Sequence, residues 1–289
     1  MRKNPAILLA LAVLALLPVD VFGQAPAAFS RMGFGARGIG LSNALVADAM
    51  GDGSPYYNPA LAPFATGQSL EASAAVLSFD RRLQFLQFAT PIRPSAGVAA
   101  GLIHASVSNI DGRDESGYHM ESYSIDEFAF FLSFGTRIGE RITAGIGLQL
   151  FRADYFDELK PVNSIGIDAG LTYSATEDLR LGLAVDDLLA RYSWDTSDLY
   201  GSGGKTTSDR FPVRLRVGAA YRLMDGKAQV LAEYESRVTS YEYRTREVVL
   251  VGDVPQEETT SKRASIQEKR ARVGLEYHHS DNFAVRGRI

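Results

Sequence analysis

The sequence contains no cysteine among its 289 residues. This absence excludes a disulfide scaffold, a cysteine nucleophile, a lipid-modified N-terminal cysteine and any zinc or iron–sulfur site held by thiolates. The chain also lacks an excess of positive charge, because 30 Lys and Arg stand against 34 Asp and Glu, a formal net charge of −4. Such a balance offers no basic surface to a nucleic acid, so we predict no nucleic-acid partner.

Long apolar runs are scarce as well. The clearest one, residues 6–19, follows Arg2 and Lys3 and is shorter than the about 20 residues that a membrane helix needs. Small residues follow near Gly23, a pattern typical of a secretory signal peptide, which we predict over residues 1–23. An N-terminal membrane anchor is the alternative. An exported chain without cysteine fits a bacterial envelope best.

Downstream of residue 66 the hydropathy alternates with a period of two, as in residues 142–150, 165–173 and 213–223. In the first of these, one face carries Ile142, Ala144, Ile146, Leu148 and Leu150, and the other carries Thr143, Gly145, Gly147 and Gln149. Several such runs are longer than the roughly 5–6 residues usual for strands of globular proteins. An outer-membrane barrel turns its apolar face to lipid and its polar face to the lumen. We therefore predict an all-β, antiparallel, transmembrane outer-membrane β-barrel; a soluble periplasmic β-sandwich binding protein is the alternative.

The alternation places eleven candidate strands. They are residues 67–79, 83–90, 96–108, 123–137, 141–153, 163–175, 179–192, 211–223, 227–243, 266–278 and 283–289. Short joins alternate with longer polar ones, as periplasmic turns alternate with outer loops in such barrels. The longest predicted loop, 244–265, contains Glu257, Glu258, Lys262 and Arg263 and is our first choice for contact with a partner. Tyr173, Tyr221, Tyr234 and Tyr277 are predicted to form an aromatic girdle near strand ends. Bacterial single-chain barrels have even strand counts, so we expect a C-terminally truncated barrel.

Two stretches carry a resemblance to a known family. The first, within residues 29–64, contains Arg37-Gly38, Leu41-Ser42-Asn43-Ala44, Gly51-Asp52-Gly53 and Tyr56-Tyr57-Asn58-Pro59-Ala60. The second contains Val185-Asp186-Asp187-Leu188, then Tyr192-Ser193-Trp194-Asp195-Thr196, then Phe211-Pro212-Val213-Arg214-Leu215-Arg216-Val217-Gly218. Together they resemble the FadL-like outer-membrane barrels and, within them, the PorV/PorQ family.

The resemblance implies a monomeric barrel of about fourteen strands, an even count as in other bacterial barrels, of which about eleven fall within this sequence. It divides the chain into a signal peptide (1–23), a short, partly helical N-terminal plug segment with an Asn-Pro-Ala motif (24–66) and an incomplete barrel (67–289). FadL-like members move hydrophobic small molecules. PorV-like members serve protein secretion by the type IX system at the bacterial outer membrane.

The candidate site residues fall into two groups. The plug or gating group contains Arg37, Gly38, Asn58, Pro59 and Ala60, and the lumen-facing group contains Asp168, Arg180, Arg214, Arg216, Arg222, Glu233 and Glu276. An Asn-Pro pair bends the chain, and the Asn side chain can satisfy local backbone donors, so Asn58 and Pro59 act structurally or as part of a gate. The lumen charges either pair with one another or line a transport path.

No enzyme signature is present. His104, His119, His278 and His279 lack the spacing of a metal-binding helix, and the Gly33–Gly38 match to a dinucleotide motif lacks a βαβ setting. We therefore predict no catalytic residue, no metal and no cofactor.

Three functions compete. The first is a secretion component that contacts exported proteins or secretion-system partners, and the second is a passive channel for hydrophobic small molecules; both would contact outer-membrane lipid. The third is the soluble sandwich. An apolar cavity beside the plug would favour the channel, whereas a filled lumen with exposed apolar loop tips would favour protein binding.

Overall fold

The computed structural model describes residues 26–49, 55–156, 159–251, 254–280 and 283–288. The predicted signal peptide and the Gly51-Asp52-Gly53 turn lie outside the described residues. The described part of the N-terminal segment, 26–49 and 55–66, is called the plug below. It contains a 3₁₀ turn (Ala28–Arg31), the short helix α1 (Gly35–Gly40) and a 3₁₀ helix (Pro59–Phe64). No helix among the described residues is both long enough and apolar enough to cross a membrane.

Among the described residues, thirteen strands follow the plug. They are β1 (Ser69–Leu77), β2 (Arg81–Ile92), β3 (Ala96–Arg113), β4 (His119–Ile138), β5 (Ile142–Asp154), β6 (Val162–Ser174), β7 (Leu179–Leu188), β8 (Arg191–Asp195), β9 (Thr206–Arg210), β10 (Val213–Leu223), β11 (Ala228–Val251), β12 (Val254–Ser280) and β13 (Phe283–Arg288). Helix α2 (Ser197–Tyr200) and a 3₁₀ turn (Gly201–Gly203) lie between β8 and β9.

Eleven of these strands form one antiparallel sheet in the order β1-β2-β3-β4-β5-β6-β7-β10-β11-β12-β13, and β8 and β9 form a separate two-stranded sheet. Each strand of the large sheet pairs with its neighbours along the chain once the β8–β9 hairpin is set aside. The predicted eleven-stranded meander is thereby confirmed. In the part of the chain that the structure describes, β1 and β13 are not paired with each other.

The burial pattern of the large sheet is the inverse of a soluble core. Ile146 on β5 is 63% exposed, whereas Thr143 on the other face of the same strand is 4% exposed. The apolar face of the alternating pattern therefore points outward, and the polar, glycine-rich face packs against the plug. This arrangement confirms the barrel over the sandwich, since a sandwich buries its apolar faces between two sheets.

Three sequence predictions need correction. The predicted strand 179–192 is two strands, because β7 ends at Leu188 and β8 begins at Arg191. The predicted loop 244–265 is wrong, because β11 and β12 continue in register as far as the pair Val251 and Val254. Residues 244–247 and 256–263 are polar and residues 248–251 are a continuous apolar run, so this part of the chain lacks the apolar alternation that marks a half-buried strand.

The third correction concerns the aromatic girdle. Tyr173, Tyr221 and Tyr277 face outward within three residues of the short-turn end of their strands. Tyr234 also faces outward, but it lies in the interior of β11. Three of the four tyrosines therefore lie at the height expected of a girdle.

Candidate functional site

The plug backbone lies directly against the inner face of the sheet. A β-carbon on Gly145 would overlap the backbone of Pro59, and one on Gly170 would overlap the side-chain oxygen of Asn58. These inner-face glycines leave room that any side chain would remove. The glycine content of the inner face is therefore a consequence of the close approach of the plug.

Asn58 is fully buried where the plug meets β7. Its Oδ1 accepts a hydrogen bond from the Ala60 amide at 3.0 Å and caps the 3₁₀ helix Pro59–Phe64. Its Nδ2 donates to the Val46 carbonyl at 2.7 Å and to the Leu183 carbonyl on β7 at 3.3 Å. One side chain thus ties two plug segments to the wall of the sheet.

The rest of the Asn-Pro-Ala motif continues this contact. The Ala60 carbonyl accepts a hydrogen bond from the Thr143 hydroxyl on β5 at 2.9 Å, and both residues are buried. Pro59 begins the 3₁₀ helix, where its missing amide hydrogen leaves no donor unpaired. The motif both bends the chain and holds the plug against the wall of the sheet.

Arg37 on α1 connects the plug to the last part of the sheet. Its Nε and Nη2 donate to the two carboxylate oxygens of Glu276 on β12 at 3.1 and 2.7 Å, and its Nη1 donates to Asp48. Burial alone would lower the pKa of Arg37, but the Asp48 and Glu276 carboxylates outweigh burial and raise that pKa above its usual value. Arg286 on β13 donates to Glu276 from the other side at 2.6 Å.

Gly38 supports the same arrangement from within α1, because a β-carbon there would overlap the Tyr57 hydroxyl. That hydroxyl donates to the Phe34 carbonyl at 3.2 Å. Burial raises the pKa of Tyr57, so the group remains a neutral donor at all physiological pH values.

A β-bulge in β7 creates the most charged part of the wall. Ile167 pairs with Leu188 and Ala169 pairs with Val185, so Asp168 alone faces two residues, Asp186 and Asp187. Asp187 has a positive φ of 62°. A bulge of this kind changes the direction in which a side chain points. Asp186 and Asp187 are both buried on the inner face of the sheet.

Three arginines compensate these carboxylates. Arg216 donates from Nε and Nη2 to the two oxygens of Asp186, each at 2.7 Å, and Arg31 of the plug donates to Asp187 at 2.9 Å. Arg214 lies 3.3 Å from Asp187, measured from Nε to Oδ2. Because the Arg216 guanidinium also donates to the Tyr57 carbonyl, the bulge is fastened to the plug at two points.

The remaining residues predicted to face the lumen lie on the same inner face at different heights. Glu233 is buried and accepts from the Val46 amide at 3.0 Å. The guanidinium carbon of Arg180 lies 4.2 Å from the centroid of the Phe64 ring, nearer the short-turn end. Arg222 is exposed at that end and lies 3.7 Å from Asp178. The predicted set therefore follows the wall from its buried middle to its rim.

A cavity of about 590 Å³ opens at the long-loop end, between the start of the plug and the β8–β9 hairpin. Its lining includes the apolar and aromatic side chains Phe29, Met32, Leu77, Leu83, Ala105, Tyr155, Tyr192 and Trp194 and the charged side chains Arg81, Arg82, Glu127 and Asp209. The Tyr155 and Trp194 rings stack with centroids 4.8 Å apart. Phe29 and Leu83 also belong to the buried apolar cluster that contains Phe34 and Phe85, so the cavity borders the apolar contact between the plug and the sheet.

Solved structures share this arrangement of strands. The toluene transporter TodX of Pseudomonas putida is 14% identical, with 93% of this chain and 84% of that chain aligned and a TM-score of 0.54. The CymD monoaromatic hydrocarbon channel is 14% identical over 88% of this chain and 82% of that chain, with a TM-score of 0.52. A deltaS2S3 mutant of the TodX monoaromatic hydrocarbon channel is 13% identical over 89% and 82%, with a TM-score of 0.57.

The chain has the fold of these channels. At such low identity the likeness shows the fold alone. Neither a protein-family model nor a curated protein matches the sequence.

Several residues of the site were not predicted from the sequence. Asp187 belongs to the inner face only because of the bulge, and Arg31 precedes any strand pattern. Tyr192 and Trp194 were recognised as part of the resemblance but not as the wall of a cavity. Among the described residues, no group of three or more His, Asp or Glu side chains is arranged to hold a metal ion.

Proposed function

We propose that this protein is an outer-membrane channel that admits hydrophobic small molecules and is closed at rest by its plug. The observation that carries the proposal is the cavity of about 590 Å³ beside the plug, with its aromatic and apolar lining. Sites for small apolar ligands are concave and lined by apolar and aromatic side chains with a few polar groups, and in this cavity Arg81, Arg82, Glu127 and Asp209 supply the polar groups. Bacterial outer-membrane localisation is part of the same proposal.

The outward apolar face of the sheet supports this localisation, since a barrel in lipid exposes such a face. The structures of similar fold include a toluene transporter and monoaromatic hydrocarbon channels. We extend the transport of hydrophobic compounds to this chain on that fold and on the cavity together. On this proposal the long-loop end faces outward and the short-turn end faces the periplasm.

The plug would act as the gate. Asn58, Arg37 and the Asp186–Asp187 bulge bind the plug at separate points of the wall, and on this proposal the bound plug blocks the path from the cavity to the short-turn end. Passage would then require displacement of the plug from part of the wall. On this proposal the charged side chains of the inner face bind the plug.

Occupancy of the cavity can be measured through Trp194, because it is the single tryptophan of the chain and lines the cavity. Toluene added to the full chain in lipid nanodiscs should change the Trp194 emission in a saturable manner. Ala105→Phe would fill the cavity from β3 and should abolish the change. Ala144→Phe, on the outward face of β5, is the matched control and should leave it intact.

Entry into cells provides the second readout. Cells with an intact lipopolysaccharide leaflet that produce the protein should take up labelled toluene faster than cells producing Ala105→Phe. If toluene leaves Trp194 unchanged and uptake is equal in both strains, the channel proposal fails. If the protein is absent from the outer-membrane fraction after a carbonate wash, the proposed localisation fails as well.

A role of the PorV/PorQ type in protein secretion is the second candidate. It is supported by exposed apolar side chains on α2 at the long-loop end, where Leu199 is 43% and Tyr200 is 69% exposed. The test is recovery of exported proteins on the tagged chain from native membranes, compared with the variant Leu199→Ser/Tyr200→Ser. Recovery that depends on these two residues would support the secretion role, and recovery of none would count against it.

A further inference from the structure

Two arginines face each other at the base of the β8–β9 hairpin. Arg191 on β8 and Arg210 on β9 are directly opposite in the register, and both are exposed. Side chains directly opposite on antiparallel strands share a face and lie close together, so two like charges there destabilise the pair. Within the described part of the chain, no hydrogen bond or ion pair joins either guanidinium to another group. The hairpin therefore carries two adjacent positive charges without a counter-charge.

Both arginines border a concavity of about 270 Å³ at the point where the hairpin leaves the wall of the sheet. Its apolar side is formed by Leu189, Val213 and Val238. Val213 and Val238 are partners in the register of β10 and β11, and Val238 is 39% exposed on the outward face. The concavity therefore adjoins the apolar outward face of the sheet at its long-loop end.

A third donor lies at the same place. Ser240 lines the concavity two residues beyond Val238 on β11, and its hydroxyl makes no hydrogen bond among the described residues. The lining also includes Asp187, whose carboxylate is buried and already pairs with Arg31 and Arg214. The exposed charge of the concavity is therefore positive, with a hydroxyl donor beside it and an apolar surface next to both.

We propose that this concavity binds a phosphate group of an outer-leaflet lipid, the lipid A part of lipopolysaccharide, with an acyl chain against the outward face. A guanidinium matches a phosphate through two parallel hydrogen bonds, and one phosphate between the two arginines would compensate both charges. A free phosphate ion would gain nothing from Leu189, Val213 and Val238, whereas an acyl chain would bury them. The inference rests on the proposed outer-membrane location with the long-loop end outward, and it goes beyond channel activity.

The test measures lipid A bound to the full chain. Native mass spectrometry from detergent micelles counts the lipid molecules retained and gives their affinity. Arg191→Gln/Arg210→Gln should bind diphosphoryl lipid A about tenfold more weakly than wild type, or weaker still, because one hydrogen bond between charged groups contributes roughly that factor. Lipid A freed of its phosphates should bind weakly and equally to both proteins. If it binds wild type as tightly as diphosphoryl lipid A does, the phosphate is not recognised and the inference is overturned.

Arg113→Gln/Arg152→Gln is the matched control. It removes two positive charges from the same end of the sheet, where each arginine is exposed and already lies beside a carboxylate, that of Asp111 or Asp154. This variant should bind diphosphoryl lipid A like the wild type. Equal losses in the two double variants would show only a general attraction of this end for anionic lipid and would overturn the inference.

Unfolding temperatures provide the second readout. Because neither guanidinium has a partner, Arg191→Gln/Arg210→Gln should unfold without lipid at the same or a higher temperature than wild type, and diphosphoryl lipid A should raise the temperature of wild type more. A lower temperature without lipid would reveal a structural role and overturn the inference. Displacement of lipid A by millimolar inorganic phosphate would assign the site to the free ion and overturn the lipid as its ligand.

The outcomes separate this inference from the channel function. If toluene does not bind but the loss of lipid A affinity is confined to Arg191→Gln/Arg210→Gln, the channel function fails and the inference stands. If toluene binds and this variant retains lipid A like the wild type, the inference fails and the channel function stands. If the protein is absent from the carbonate-washed outer-membrane fraction, the proposed location and the inference fail together.

Discussion

Arg31 and Asp187 are 156 residues apart in the chain, yet the Arg31 Nε donates to the Asp187 Oδ2 at 2.9 Å in a pair that is almost fully buried. Arg31 ends the first turn of the plug, and Asp187 lies in the bulge of β7. The pair therefore fixes the start of the plug to one point of the wall, immediately beside the cavity that Phe29 and Met32 help to line.

Asp187→Asn should release this end of the plug. The substitution leaves the Arg31 guanidinium buried without its counter-charge, and breaking a buried pair by removing one partner costs about 3 kcal/mol or more. We expect urea unfolding in detergent micelles to show a loss of that size, and limited proteolysis to cut the plug faster than in wild type.

The exposed pair of Arg222 and Asp178 provides the matched control. Its side chains are 42% and 59% exposed, and exposed pairs contribute about 0–1 kcal/mol. Asp178→Asn should therefore unfold like the wild type and keep its plug protected. Equal losses in the two variants would show that the Arg31 contact does not hold the plug.

Arg37→Lys tests whether the several donors of the guanidinium, rather than its positive charge alone, stabilise the contact between the plug and the sheet. Lysine keeps the positive charge but cannot bind both oxygens of Glu276 and reach Asp48 at once. Losing a charged hydrogen bond costs about 2 kcal/mol, so stability should fall by that amount in urea unfolding. Arg113→Lys, in an exposed pair with Asp111, should leave stability at the wild-type level. If both variants unfold alike, Arg37 acts as a charge only.

The sheet could be read from the sequence because its outward face follows a strict period of two. In residues 142–150 the same alternation that predicted β5 also separates exposed Ile146 from buried Thr143. The distal part of the β11–β12 ribbon, residues 244–265, lacks that signal, since polar residues such as Glu258 and Lys262 give no regular apolar face. It was predicted as a loop for that reason.

The site was less accessible to prediction. Alternation places Asp186 and Asp187 on opposite faces of β7, and only the bulge opposite Asp168 turns both inward. The partners of these carboxylates come from the plug and from β10, and their pairing depends on the curvature of the sheet. Contacts between residues far apart in the chain produce no recognisable spacing of residues in the sequence. The alternation of Arg214 and Arg216 indicates only that positive charge faces inward.

Gly170→Ala should disturb the Asn58 contact specifically. A β-carbon at Gly170 would overlap the Asn58 Oδ1, and overpacking of this kind costs about 1–3 kcal/mol. In a double-mutant cycle with Asn58→Ala, removal of the amide should relieve the overlap and give a coupling of about 1 kcal/mol. Gly67→Ala, which has no neighbouring atom within 4 Å, should be tolerated. Additive losses in the cycle would show that Asn58 can move away from the wall.

Ile146→Arg tests whether the outward face of the sheet meets lipid. Ile146 is four residues into β5, so at about 3.3 Å per residue it lies near the middle of an apolar band about 25 Å tall. An arginine at that depth costs about 2–4 kcal/mol in lipid, whereas a solvent-exposed position would accept it without loss. The yield of folded protein in the carbonate-washed outer-membrane fraction should therefore fall. Ser208→Arg, on the exposed hairpin strand β9, adds the same charge at the long-loop end and should leave the yield unchanged. An unchanged yield for Ile146→Arg would mean that water rather than lipid covers this face, and the assignment of the protein to the membrane would be overturned.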